Sequence, residues 1–138
     1  MLNVRRALET EAARLAARRA SPEDLDRLRL IVARMAEAVR QEQHAEGDVL
    51  NAEFHRTVAR LSRSQELIEA VNRCHVMEIG RRRLEKYQSL GDFTNLAPDH
   101  LLLVDAIASG DPNRAGQEMH RHLTPKEPLD GVSAGLVG

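Results

Sequence analysis

The sequence predicts an all-α fold, an antiparallel bundle of about six helices. Three observations carry this expectation. Aromatic residues make up only 2% of the 138 positions and Trp is missing. The core must therefore come from Leu, Ala, Val, Ile and Met, which suit helices better than sheets. Apolar residues recur at three- and four-residue spacing, the period of a helix face. Ser21-Pro22 and Asp111-Pro112 each read as a capping side chain followed by a first-turn proline.

Taken in order, the first helix is expected from about Asn3 to Arg19, with Val4, Leu8, Ala12 and Leu15 as its apolar stripe. Ser21 caps a second helix. Glu23 and Asp24 sit near its positive end, and Leu25, Leu28, Val32, Met35 and Val39 form a bundle seam. Gly47 breaks the pattern, and a third helix is expected from about Asp48 to Leu61, with Leu50, Phe54, Val58 and Leu61 inward. After a short break at Ser62 to Ser64, a long fourth helix spans about Gln65 to Gln88. A fifth starts between Asn95 and Pro98 and stops at Gly110. A sixth opens at Asp111 and ends before Pro125. Residues 1–123 read as one helical domain and 124–138 as a loose tail.

Charge narrows the function. Lys and Arg number 20 against 21 Asp and Glu, a net charge of −1. A chain that grips nucleic acid by itself usually carries a basic excess or stripe, so direct DNA binding is not expected. Cys74 is the single cysteine. It allows no internal disulfide and reads as a small buried hydrophobe. No apolar run of about 18 residues is present to span a membrane. The first residues lack a signal peptide's apolar stretch, so a cytoplasmic location is expected.

The histidines carry the chemistry. Of the six, His55, His100 and His122 fall on the inward faces of three different helices. His55 follows Asn51 by one turn, so the two share a face. His100 shares a face with Leu103, Val104 and Ile107, and His122 with Ala115 and Met119. Inward imidazoles from facing helices are how bundles build metal sites, and neutral imidazole suits zinc, nickel or manganese. The plainer alternative is a set of packed, hydrogen-bonded core histidines. His75 on the fourth helix faces the core or the pocket, as a core residue or as a contact to a bound effector. His44 and His120 fall on polar stretches and are expected in solvent. Arg5 and Arg81 are candidates to pair with a ligand carboxylate, since Arg suits planar bidentate recognition.

Four segments resemble a known family. Val4-Arg5-Arg6-Ala7-Leu8-Glu9 followed by Ala12 to Ala17 is similar to the first helix of the FCD domain, the C-terminal effector-binding domain of FadR-type regulators in the GntR superfamily. Asn51-Ala52-Glu53-Phe54-His55 resembles its Asp-x-x-Phe-His, and Asp99-His100 its acid-His pair. Gly110-Asp111 through Arg121-His122-Leu123 resembles its closing segment. The resemblance covers about Asn3 to Leu123. It implies an all-α bundle that binds a divalent metal and a small organic acid and usually dimerises. Position 51, His55, His100 and His122 would be the metal ligands. Asn51 departs from the family's Asp and offers a neutral, weaker oxygen. The family's winged helix-turn-helix domain is expected to be absent from this chain.

The reading that follows is a sensor. A small carboxylate binds the metal and an inward Arg, and helix packing at a homodimer interface shifts to control DNA binding by the missing domain. Two other classes remain. A hydrolase would use metal-activated water, but no His-Glu-x-x-His spacing or nucleophile setting supports it. A helical dimerisation module would use the histidines only for packing.

Overall fold

The computed structural model describes residues 2–85 and 90–125. Among these residues there are six α-helices: α1 (Leu2–Arg19), α2 (Pro22–Arg40), α3 (His44–Leu61), α4 (Gln65–Glu85), α5 (Leu96–Ala108) and α6 (Pro112–His122). A 3-10 turn, Leu90–Asn95, leads into α5. No strand occurs among the described residues. The all-α class and the number of helices match the expectation. The expected end of the fourth helix near Gln88, and the tail beyond residue 125, lie outside the described residues.

Local chemistry fixes the helix ends. Ser21 Oγ accepts from the Asp24 backbone N–H at 3.1 Å, and Asp24 Oδ2 accepts from the Ser21 N–H at 2.9 Å. This reciprocal box satisfies two donors that a helix start leaves without partners. Arg63 donates to the same Asp24 oxygen at 2.9 Å, which ties the α3–α4 turn to the start of α2. At α6 the Asp111 carboxylate accepts from the N–H groups of Asn113 and Arg114. Gly110, at φ +77°, supplies the left-handed residue that closes α5.

Among the described residues the main core cluster draws on α1, α2, α3, α5 and α6, and Val71 and Cys74 of α4 are also buried. The core cluster is built from Leu28, Ile31, Val32 and Met35 of α2, Leu50, Phe54, Val58 and Leu61 of α3, and Leu103, Val104 and Ile107 of α5. Ala115 and Met119 of α6 and Ala13 and Ala16 of α1 complete it. Helix α1 packs against α6, α3, α4 and α5, and α2 packs against α3 and α5. The small residues of α1 and α6 permit close approach. A Cβ added at Gly116 would sit 2.8 Å from Arg14 Cγ.

Three expectations need correction. In α1 the buried residues are Arg5, Glu9, Ala12, Ala13 and Ala16, whereas Val4 is 55% exposed and Leu8 and Leu15 are half-buried. The inward face is rotated by about one residue, or 100°, because an ion pair occupies places where hydrophobicity alone would put leucines. In α2, Leu25 and Val39 are only half-buried, and Ile31 and Ala38 lie in the core instead. Gly47 does not break the chain: α3 begins at His44 and Gly47 is buried within it. A Cβ there would lie 2.7 Å from the Phe93 ring, so the glycine makes room for the segment before α5. His44 stacks on that ring at 3.9 Å between centroids.

Candidate metal centre

Three helices bring imidazoles to one place. His55 from α3, His100 from α5 and His122 at the end of α6 have candidate ligand nitrogens within 4.8 Å of one another. Their ring centroids are 5.4 Å (His55–His100), 5.2 Å (His55–His122) and 4.5 Å (His100–His122) apart. His55 and His100 are buried and His122 is half-buried, so the cluster is most open on the His122 side. Phe54 packs edge-on against both His55 and His100 and walls the cluster from the core.

Hydrogen bonds decide which nitrogens are free. His55 Nδ1–H donates to Glu9 Oε1 at 2.6 Å. That leaves Nε2 with its lone pair, buried and without a hydrogen-bond partner. A buried lone pair without a partner costs free energy unless something binds it. His100 Nδ1–H donates to the Leu96 carbonyl at 2.8 Å, so its Nε2 also carries a lone pair. Asn51 Oδ1 lies 2.7 Å from that nitrogen. Two acceptors then face each other. Only an amide N–H of Asn51 turned toward His100, or a cation drawing on both lone pairs, makes the contact favourable.

Electrostatics keep the imidazoles neutral. Burial, reinforced by His55, pushes His100 down to about 3. Burial, with His55 and His100 adding to it, pushes His122 down to about 2. Burial also lowers His55, against the pull of Glu9. Neutral imidazole is the form that ligates metals. The donor set therefore suits a borderline divalent ion, zinc or nickel better than the harder manganese.

Beneath the cluster lies a carboxylate that is not among the candidate site residues read from the sequence. Glu9 on α1, 1% exposed, takes His55 on one carboxylate oxygen and Arg5 Nε, at 2.6 Å, on the other. Burial works to raise the Glu9 carboxyl, but His55, His75 and Arg5 together hold it well below the usual carboxylate range. A carboxylate behind a ligating histidine fixes its tautomer and raises its basicity. The Arg5-to-Glu9 spacing of four residues, in register with Ala12 and Ala16, is the sequence signal that marks this face.

The remaining candidates fall as follows. Asn51 reaches the cluster through His100. Arg5 is buried beside it, held by Glu9, and its charge works against protonation of His55 and His100. His75 is buried on α4, its Nε2 3.4 Å from Glu9 Oε2, behind the three converging imidazoles and not among them. The Arg81 side chain lies outside the described residues. His44 and His120 are exposed and Cys74 is buried, each as expected.

The sequence pattern of one family runs through most of the chain. The FCD domain pattern matches residues 1–125. No curated protein matches the chain. With helices, imidazole cluster and family pattern spanning the same stretch, the chain belongs to the FCD domain family, the effector-binding domains of GntR-type transcription regulators.

Proposed function

We propose that this domain senses a small carboxylate through a divalent metal held by His55, His100 and His122, with Asn51 as a weak fourth ligand. The carrying observation is the buried, unpartnered Nε2 of His55, aimed among two further neutral imidazoles. The bound ion would supply a Lewis-acidic centre for carboxylate oxygens. The chain's own part is positional. Glu9 orients His55, the Leu96 carbonyl orients His100, and Arg5 adds positive charge beside the cluster. In this reading the effector favours one helix packing over another in a homodimer. It thereby governs DNA binding by the winged helix-turn-helix domain of a GntR-type regulator. Leu30 on α2 and Leu101 and Leu102 on α5 are exposed apolar residues that support a subunit contact.

Elemental analysis of untagged protein tests the reading, beside His100→Ala and the exposed-site control His120→Ala. Near-stoichiometric zinc or nickel, lost in His100→Ala and kept in His120→Ala, is expected. Protein that takes up neither of these ions nor manganese, even when each is supplied, would overturn it.

A further inference from the structure

The cluster's charge balance says what kind of effector it can take. The groups facing it can be followed helix by helix. Helix α3 brings His55 and Asn51, α5 brings His100, and α6 brings His122, three imidazoles and an amide, which ligate metals as neutral donors. Helix α1 brings one anion, Glu9, already matched by Arg5. Helix α4 brings His75 against Glu9. Arg121 stands next to His122 and is paired with Glu118, with Asp99 also acting on it. No carboxylate among the described residues lies within the cluster to offset a dication.

We infer that Asn51 makes this site select doubly charged oxygen ligands, dicarboxylates or phosphate monoesters, over singly charged ligands of the same shape. The inference rests on the metal-centred reading above. Four neutral donors leave a divalent ion with its full charge. A monoanion would leave one positive charge in a largely buried place, where uncompensated charge is costly. A dianion brings the centre to neutrality. A carboxylate at position 51 would supply one of those charges from the protein, and a monoanion would then suffice. The near contact of Asn51 Oδ1 with His100 Nε2 puts that position at the cluster itself, so the charge carried there acts at short range.

Matched ligand pairs test this by calorimetric titration of the zinc-loaded protein at pH 8. Malonate is compared with malonamate, and methyl phosphate with dimethyl phosphate. Each pair differs by one charge at nearly constant shape. A dianion preference of about tenfold or more in either arm is expected, and the arm that shows it identifies the ligand class. Asn51→Asp should reduce that preference at least severalfold while tightening zinc binding. Asn51→Ala, which leaves the charge count unchanged, should keep the preference. Equal binding within both pairs, or an undiminished preference in Asn51→Asp, overturns the inference while leaving the metal site standing. Failure of wild type and Asn51→Asp alike to take up zinc overturns both readings together.

Discussion

Glu9 on α1 and His55 on α3 stand 46 positions apart in the chain and 2.6 Å apart in space, carboxylate oxygen to Nδ1. The contact does two things at once. It holds the His55 tautomer, and it gives Arg5 a buried counter-ion. Glu9→Gln keeps the shape and the acceptor but strands the Arg5 charge. Breaking a buried pair from one side costs about 3–5 kcal/mol, and losing a supporting carboxylate weakens metal binding by about 10- to 100-fold. Urea unfolding and zinc titration should show both losses. Weakened stability with unchanged zinc affinity would reduce Glu9 to a structural role.

Phe54 has no exposed surface and contacts both core and cluster, with its ring 4.8 Å from His100 and 5.6 Å from His55. Phe54→Ala should destabilise the fold by about 3–5 kcal/mol through lost burial and the remaining cavity. It should also weaken zinc binding, because His55 and His100 lose the wall that limits their rotation. Chemical denaturation and metal titration on the same variant measure the two effects.

Acid should unfold the metal-free domain by a predictable route. His100 and His122 titrate near 6.5 when exposed and are pushed to about 3 and about 2 in the fold. Between those values the unfolded chain binds more protons than the folded one, so stability falls as pH falls. Glu9, held low in the fold, adds to the loss once pH drops below its ordinary range. The slope approaches about 1.4 kcal/mol per pH unit for each buried histidine below pH ~6.5. Urea midpoints at pH 7.5, 6.5 and 5.5 should decline in that order. The decline should be shallower in His122→Ala, and an equal slope in that variant would refute the assignment.

Ser21→Ala should remove one half of the α2 capping box and cost about 1 kcal/mol. Zinc affinity should stay unchanged, because the box is built from Ser21 and Asp24, neither of which belongs to the imidazole cluster. A thermal melt and a zinc titration on this variant show how far metal binding responds to stability alone.

Helix periodicity made α5 legible, with Leu103, Val104 and Ile107 buried as expected, and capping residues marked the starts of α2 and α6. Periodicity misplaced the inner face of α1, since Arg5 and Glu9 occupy it and a hydrophobicity pattern has no place for a buried ion pair. Gly47 read as a break because glycine is a poor helix former, while its use here is steric and depends on Phe93, distant in sequence. The convergence of His55, His100 and His122 was visible as three inward positions on three helices. The lone-pair geometry at Nε2 of His55 and His100 was not, because it depends on Glu9 and on the Leu96 carbonyl, whose positions only tertiary packing sets.

The imidazole cluster draws on α3, α5 and the final residue of α6, with Glu9 of α1 behind it. During vectorial synthesis His122 is the last of the three imidazoles to emerge, on the helix that also carries Ala115 and Met119 of the core. No nascent intermediate therefore holds the full donor set, and an ion held by all three imidazoles would be captured only once α6 has joined the core. Small zinc modules behave in the opposite way, since their chains stay unfolded until the ion arrives. Here a bound ion would certify a finished domain, and a cell short of metal would accumulate a folded but unloaded chain.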